Sequence, residues 1–520
     1  MDCLEFGIVL LLPIDGWKNH YDLTMRIHNI CAELAFTTSH HERAQQLTET
    51  IIQNAVHFED KIQALCTRLL VISTTNDLQK ITTESLDVFE QLGEPIPRQA
   101  THRDVKREYN QTKNIIKSMS TERILRLPKM QDVRKTATLQ TFNLAHGSFF
   151  MLEPSISSVI VMRAIRLSVK HGLCATSAYM FGIYGWFVCS QGDIEEGTRM
   201  GKICLDILKR FELQQWIPRC YAAVYGRIGS YTKGLRAAYD HLTRSQCVAS
   251  ETGDYMGSVS CGFIRCSFLF YSGEPLPIVQ SEVERNLRDC PVSVNGIFQQ
   301  MLNQFPRVVM LLQTKEENPS LECAEQLVGH PLHCAMDEWK SFHMAIIAYL
   351  FDNHELALKV FERARVLDSH NILKSAEIAL VYLLDGLICM SVFRSTGKGK
   401  RRAIRVARSR LKQLKRLAQH NPRFCNGKVA LLEAEIASIR GDYQRAYVLY
   451  IAACSMYAGE GMLMEHAISL ELCASMCMND QRKYDVAKDL LKEAVESYRK
   501  WGAVGKAQKV EKYMKHDEED

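Results

Sequence analysis

The sequence predicts an all-α protein built from antiparallel helix pairs. Its 520 residues include only 13 prolines and 28 glycines, so long elements joined by short turns are expected. Helix-forming residues dominate, and alternating runs of valine, isoleucine and threonine, which are typical of strands, are scarce. A chain of this length exceeds the size of a single compact core, which favours two or more domains or an extended repeat array.

A recurring spacing of small residues predicts how the helices pair. An alanine, a large residue and a second alanine follow one another at intervals of four and three positions in three sets: Ala357, Phe361 and Ala364; Ala446, Tyr450 and Ala453; Ala487, Leu491 and Ala494. A further small residue precedes each set by 12 positions, at Ala345, Ala434 and Ser475. Closely packed helices need small side chains where they touch, so this spacing predicts a tetratricopeptide-like superhelix of antiparallel helix pairs, an α-solenoid. The last two sets are 41 residues apart, compared with a usual repeat of ~34, so the repeats are degenerate.

Glycine–aspartate pairs mark the predicted corners between helices. Gly192-Asp193, Gly253-Asp254 and Gly441-Asp442 each follow one apolar helical run and precede another. Glycine ends a helix by adopting the left-handed conformation, and aspartate caps the next helix by accepting its free N–H groups. We therefore interpret these pairs as helix–turn–helix corners rather than as anion or metal sites.

Two segments break the helical pattern. Residues Leu92 to Asp104 contain two prolines and predict an extended crossing between helix hairpins. Residues Gln313 to Cys334 have a linker composition, and we place a domain boundary there, between an N-terminal helical array (1–318) and a C-terminal tetratricopeptide-like array (319–520). The alternative is one continuous superhelix with a loop at this point.

The C-terminal stretch predicts an end to the array. Trp501 and Gly502 should form the last corner, followed by an end-capping helix at 503–515. Val504, Ala507, Val510 and Met514 would cover the exposed end of the array. Lys506, Lys509 and Lys512 would lie elsewhere on this helix, on the face that meets water.

No catalytic or cofactor motif is present. The segment Ser395 to Arg402 lacks the upstream glycine and the Ser/Thr after lysine that a phosphate-binding loop requires. His330, His333 and Cys334 group three metal-binding side chains, but the second pair of a zinc finger is missing. We therefore predict a non-enzymatic protein without a cofactor or metal, and assign no catalytic residues.

The cysteines and the hydropathy of the sequence predict the cellular compartment and whether the chain spans a membrane. Eighteen cysteines without a CxxC motif in so long a chain indicate reduced, mostly buried thiols. No run of 18 apolar residues and no signal peptide is evident, so we predict a cytoplasmic protein without a membrane span. The basic segment 398–416 leaves nuclear import as an alternative.

That basic segment is the candidate partner-binding site. Arg401, Arg405, Arg408, Lys412 and Lys415 form a stripe at helical spacing that should face solvent. Ile404, Ala407, Leu411, Leu414 and Ala418 form an apolar stripe that should dock on the array. The basic stripe is either a solubilising surface or a contact for an acidic protein, nucleic acid, anionic lipid or import machinery.

Six blocks in order resemble a known family. They are Phe6 to Phe36, Gln91 to Pro97, Ile124 to Asp132, Arg166 to Trp186, Glu251 to Leu276, and the closing Tyr498 to Tyr513. They resemble the long helical region that follows the AAA-type, STAND-class ATPase in multidomain serine/threonine and hybrid histidine kinases. The resemblance implies a regulatory or interaction region without active-site residues, which works with ATPase, kinase or GAF modules. In that family the first block lies inside the helical region, so this chain is expected to begin within the array.

We therefore predict a non-catalytic scaffold that mediates protein–protein or intramolecular interactions in a signalling ATPase or kinase system. The alternative is a nucleic-acid-associated or transcription-regulating repeat protein that uses the basic helix. Whether the chain is a stand-alone scaffold, a split-gene product or a truncated gene model stays open at this point.

Overall fold

The structure is a computed structural model that describes residues 2–11, 13–73, 77–289, 297–317, 319–329, 335–366, 377–478 and 483–519. These residues form helices joined mostly by short turns. The one β-type bridge among them is isolated and joins Lys129 to Leu173. The all-α class predicted from the sequence is confirmed.

The helices of the first half of the chain are α1 Asp2–Leu11, α2 Gly16–Asn19, α3 Tyr21–Thr37, α4 His41–Asn54, α5 Phe58–Ser73, α6 Leu78–Gln91, α7 His102–Lys117, α8 Thr121–Leu125, α9 Val133–Leu152, α10 Pro154–His171, α11 Ala175–Ser190, α12 Ile194–Arg210, α13 Ile217–Tyr221 and α14 Tyr239–Thr252. Between α12 and α14 lie the 3₁₀ turns Gln214–Trp216, Gly229–Tyr231 and Leu235–Ala238, and the π-helix Ala222–Ile228.

The remaining helices are α15 Tyr255–Tyr271, α16 Leu276–Arg288, α17 Ile297–Gln313, α18 Glu322–Gly329, α19 Ala335–Leu350, α20 His354–Val366, α21 Glu377–Thr396, α22 Lys400–Ala418, α23 Pro422–Arg440, α24 Tyr443–Glu460, α25 Leu463–Cys477, α26 Tyr484–Trp501 and α27 Val504–Glu519.

The chain forms two compact units. The described residues of unit 1 are 2–187 and 199–216, and those of unit 2 are 188–198 and 217–519. In each unit most helices pack against the next one in the chain, as α3 does with α4 and α23 with α24. Short connections make such neighbours antiparallel, which is the helix-pair arrangement that the sequence predicts. The predicted boundary at residues 318 and 319 falls inside unit 2, and it stays a prediction.

The glycine–aspartate corners are confirmed. Gly441 has φ 87° and ends α23, and the Asp442 carboxylate accepts a hydrogen bond from the backbone N–H of Arg445 (3.3 Å). Gly253 and Asp254 form the same corner between α14 and α15, with Asp254 accepting from the N–H of Gly257 at 3.2 Å. These corners form locally because the capping groups lie within three residues of the N–H groups that they satisfy.

The two predicted breaks have different outcomes. Residues 92–101 of the proline-containing segment run without helix, as predicted, whereas 102–104 belong to α7, which Thr101 opens in a capping box with Asp104. The predicted linker 313–334 contains an additional helix, α18, in its middle. Its cluster of His330, His333 and Cys334 lies outside the described residues.

One predicted packing position is wrong. Ser475 is exposed, and its neighbour Ala474 is fully buried instead. The corresponding residues Ala345 and Ala434 of the first two repeats are fully buried. In the last repeat the buried small residue is therefore shifted by one position. A one-residue shift turns a helical side chain by about 100°.

The C-terminal helix departs from the predicted end cap. Gly502 ends α26 with φ 103°, as predicted, and Trp501 is fully buried. Ala507 and Val510 are buried, but the predicted water-facing Lys506 is only 2% exposed. Besides α26, α27 lies against α17, and the backbone N–H of Gly505 donates to the carbonyl of Thr314 at 2.8 Å. The helix therefore packs on several sides. This is possible because Lys506 and Lys509 form ion pairs with carboxylates of unit 2.

Helix α21 is the one described helix long and apolar enough to cross a membrane. Its stretch Ile378–Thr396 has a mean hydropathy of 1.7, and 67% of the tested stretch is buried within the protein. Asp385 in the middle of this helix is fully buried and pairs with Arg410 of α22 at 2.7 Å. Burial in the helix array therefore accounts for the apolar composition of α21.

Candidate functional site

The predicted packing residues lie between the helices of unit 2. Those whose side chains are described are at most 7% exposed: Ala357, Phe361, Ala446, Tyr450, Ala453, Ala487, Leu491, Ala494 and Trp501. Gly502 is half-buried, and the side chain of Ala364 lies outside the described residues. Buried side chains of this kind hold helices together and do not reach a partner.

The predicted basic stripe lies on the outer face of α22. Its five members are exposed: Arg401, Arg405, Arg408, Lys412 and Lys415. On the opposite face of the helix, Ala407 and Leu414 of the predicted apolar stripe are buried, whereas Ile404, Leu411 and Ala418 are half-buried. Lys415 also pairs with Glu433 of α23 at 2.5 Å. A shallow groove of about 370 Å³ crosses the stripe beside Arg408 and Lys412.

A larger concave feature lies in unit 1, on the face formed by α3, α5 and α9. Alternate helices meet here, since α5 packs against both α3 and α9. The main part of this groove has a volume of about 750 Å³, and an adjoining part of about 370 Å³ shares Glu59 and Gln63 with it. We call the two parts together the unit 1 groove. Volumes of this size are typical of ligand-binding clefts.

Helical spacing brings the lining of the unit 1 groove together. The lining residues recur every three or four positions on each helix, so each helix presents one face. They are Met25, Arg26, Asn29, Ile30, Glu33, Phe36 and Thr37 on α3; Glu59, Asp60, Ile62, Gln63, Cys66, Thr67 and Leu70 on α5; Val133, Gln140, Asn143 and Leu144 on α9; and Trp216.

Asn29 is the most informative residue of the unit 1 groove. It is only 7% exposed, and its Nδ2 donates to the carbonyl of Met25 at 3.1 Å. Its Oδ1 is buried and accepts no hydrogen bond within the described part of the chain. A buried acceptor without a donor is costly, and a donor on a bound molecule would remove that cost.

The charged residues of the unit 1 groove are mainly acidic. Gln63 donates to Glu33 at 2.7 Å, and Arg134 of α9 donates to Glu59 at 2.8 Å. The backbone N–H of Glu59 itself, followed by Arg134, lowers the pKa of the Glu59 carboxyl. Tyr21 donates to Asp60 at 2.7 Å. Since Arg134 pairs with Glu59, the excess negative charge of the lining lies at Glu33 and Asp60, opposite the lining cation Arg26, and it complements a positively charged ligand.

The unit 1 groove offers recognition groups rather than reactive ones. Burial raises the pKa of the Cys66 thiol to about 11, so this side chain stays protonated at neutral pH and is a poor nucleophile. The other polar lining groups are carboxylates, amides, the hydroxyls of Thr37 and Thr67, the Trp216 indole and Arg26. Among the described residues, no group of three histidine, cysteine or acidic side chains could hold a metal ion. The arrangement suits an extended chain with backbone N–H groups and basic side chains.

The comparison with solved structures finds remote similarities, whereas the sequence comparisons find none. No protein-family model and no curated protein sequence matches this chain. Among solved structures, a Rap protein complexed with competence and sporulation factor is similar over 85% of this chain and 99% of that chain, with 10% sequence identity and a TM-score of 0.34. The all-α class rests on the helices described above.

Sequence reasoning did not predict the unit 1 groove. The signal was present as polar residues at helical spacing on α3, where Arg26, Asn29 and Glu33 follow one another at intervals of three and four. Such a polar stripe is equally typical of a solvent-exposed helix face. Only the packing of α3 beside α5 and α9 shows that this stripe lines a concavity.

Proposed function

We propose that this chain is a non-catalytic helical-repeat scaffold that binds an extended protein segment in the unit 1 groove. The buried, donor-free Oδ1 of Asn29 is the observation that carries this proposal. A backbone N–H of a bound segment is the donor that this oxygen lacks. Stacked helix pairs commonly bind partners on such concave surfaces.

The charge of the groove selects the segment. Glu33, Glu59 and Asp60 favour a segment with lysine or arginine, and Phe36 and Leu70 provide apolar surface for the residues next to it. We therefore expect the partner to present a basic residue flanked by apolar ones. Charge complementarity of this kind affects specificity and association rate more than affinity.

A peptide-library selection on the purified protein tests the proposal. Selected peptides should carry Lys or Arg beside apolar residues, and Glu33→Lys should weaken their binding about tenfold in fluorescence anisotropy. The matched control is Glu42→Lys, which reverses an exposed acidic residue on α4 outside the groove. The proposal fails if no peptide is selected, or if both variants weaken binding equally.

We also propose that the scaffold serves a signalling ATPase or kinase system in the cytoplasm. The support is the sequence resemblance, whose first block, Phe6 to Phe36, includes the face of α3 that lines the groove. Buried thiols such as Cys261 and Cys473 suit a reducing compartment. Kinase, ATPase or GAF coding sequence beside this reading frame would support the proposal, whereas ATP hydrolysis by the purified chain would overturn the non-catalytic assignment.

A second candidate function is nucleic-acid association or transcription regulation through α22. The observation that favours it is the exposure of all five cations of the basic stripe on one helix. Phosphate contacts release counterions, so such binding should weaken steeply as salt rises. Undetectable or salt-insensitive binding of DNA and RNA would remove this candidate.

A further inference from the structure

A second polar pocket lies inside unit 2, between α17, α18 and α19. Its volume is about 220 Å³. Gln304, Arg307 and Val308 line it from α17, and Gln326 and Leu327 line it from α18. Trp339, Lys340 and Met344 complete the described lining from α19, which contains two cations and no carboxylate. The charge of this pocket is therefore opposite to that of the unit 1 groove.

Trp339 provides a buried donor without an acceptor. The residue is 2% exposed, and its indole Nε1–H is buried without a hydrogen-bond partner among the described residues. Aromatic neighbours hold the ring in place, because the His343 ring centroid lies 4.0 Å away and that of Phe305 lies 5.2 Å away. Buried tryptophan N–H groups usually have a hydrogen-bond partner, and because Trp339 also lines the pocket, a ligand bound there is a candidate acceptor for this N–H.

We propose that this pocket binds the carboxylate of a small organic acid with an apolar body. The carboxylate accepts from the Trp339 indole N–H in the field of Lys340 and Arg307, and charge-assisted hydrogen bonds of this type are stronger than neutral ones. Val308, Leu327 and Met344 contact the apolar body of the acid. Gln304 and Gln326 add amide donors at the polar side.

Two kinds of ligand carry a carboxylate beside an apolar group. The carboxylate belongs either to a free small acid or to the C-terminus of a peptide, and both present two acceptor oxygens beside an apolar group. This site is independent of the unit 1 groove, since all its described lining residues belong to unit 2. If the unit 1 groove binds no peptide, the carboxylate pocket of unit 2 is unaffected. If the pocket binds no carboxylate, the proposal for the unit 1 groove is likewise unaffected.

Titration of the ¹⁵N-labelled full chain with 4-methylpentanoate tests the proposal. The chain has five tryptophans, so its indole N–H signals are few, and the one absent from Trp339→Phe is that of Trp339. We expect a saturable downfield shift of this signal. The neutral 4-methylpentanamide should bind about tenfold more weakly, a difference of about 1.4 kcal/mol.

Two variants separate recognition from folding. Trp339→Phe keeps an aromatic ring against His343 and Phe305 but removes the N–H, so it should weaken binding about tenfold; because this variant lacks the reporting indole signal, isothermal titration calorimetry measures its affinity and that of the wild type. Lys340→Gln, at a partly exposed position on the same helix, should also weaken binding while the circular dichroism spectrum stays unchanged. The proposal is overturned if the acid gives no saturable shift, if the amide binds equally well, or if both variants bind like the wild type.

The source is identified by comparing 4-methylpentanoate with N-acetylleucine. Tighter binding of N-acetylleucine, lost in N-acetylleucinamide, supports a peptide C-terminus as ligand. Tighter binding of 4-methylpentanoate supports a free small acid.

Discussion

Lys506 Nζ lies 2.7 Å from Glu471 Oε1 and 3.4 Å from Asp352 Oδ1, and the lysine side chain is only 2% exposed. Glu471 also accepts from the hydroxyl of Tyr498 at 2.7 Å. Burial by itself lowers the pKa of Lys506, but the two carboxylates outweigh it and raise the pKa above its ordinary value. The C-terminal helix is therefore held to α25, and to the turn after α19, by buried charge as well as by apolar contact.

Removing this buried cation should destabilise the protein strongly. Lys506→Met removes the buried cation from Glu471, while Asp352 keeps Lys509 at 3.0 Å, and we expect a loss of ~3 kcal/mol in the free energy of unfolding, measured by urea denaturation. The control is Lys500→Met, whose pair with Glu496 on α26 is exposed and should contribute less than ~0.5 kcal/mol. Equal stability of the two variants would contradict the role assigned to Lys506.

Trp501 should act through packing. It is fully buried at the end of α26, with its ring centroid 6.2 Å from that of Phe270. Trp501→Ala should cost ~3–5 kcal/mol in thermal or urea unfolding, because the cavity that it leaves cannot collapse completely. Trp501→Phe retains most of the ring and should cost less. A Trp501→Ala variant that keeps its stability but loses ligand binding would refute a purely structural role.

His343 should make unit 2 sensitive to acid. Burial lowers its pKa to about 4, while its Nδ1–H donates to the carbonyl of Trp339 at 2.8 Å and its Nε2 lies 3.1 Å from the Tyr271 hydroxyl. The unfolded chain takes up this proton near pH 6.5, and the folded chain takes it up only near pH 4. Between these values the unfolded state binds more protons, so stability falls as the pH falls.

Urea denaturation at two pH values checks the contribution of His343. When the pH is lowered from 7 to 5, protonation of His343 in the unfolded chain should lower the free energy of unfolding of the wild type by ~2 kcal/mol. His343→Gln is expected to be less stable at pH 7, but its disadvantage should shrink by this amount at pH 5. A constant difference between wild type and variant would show that His343 is not the titrating group.

Reversing the basic stripe should change binding without changing stability. Arg405, Arg408 and Lys412 are exposed, so the triple substitution to glutamate should alter the free energy of unfolding by less than ~0.5 kcal/mol per site. If the stripe is a partner contact, partners that co-purify with the wild type should be lost. The control is Lys492→Glu with Lys500→Glu on the exposed face of α26. Retention of every partner by the triple variant would leave the stripe as a solubilising surface.

Features that depend on neighbouring residues could be predicted from the sequence. The Gly441–Asp442 corner was predictable because glycine and aspartate act on N–H and C=O groups within one helical turn. The exposure of Arg405 and the burial of Ala407 followed from helical period. One of these local predictions was wrong by one residue, since Ala474 rather than Ser475 occupies the buried position.

Features that depend on distant residues could not be predicted in this way. Lys506 resembles any polar residue of a terminal helix, and its partner Asp352 lies 154 positions earlier in the chain. Asn29 meets Gln63 and Gln140 in one groove only because α5 lies between α3 and α9. In the same way, Trp339 lines a pocket because α17 and α18 pack beside α19.

The sequence by itself determined the all-α class, the pairing of neighbouring helices, the glycine–aspartate corners, the turn at Gly502 and the two faces of α22. Each of these depends on backbone geometry repeated over a few residues. Tertiary structure alone decided that Lys506 is buried, that Asn29 lines a groove and that Trp339 lines a pocket. Burial, and the cost of an unpaired polar atom, depend on side chains that folding brings together from distant helices.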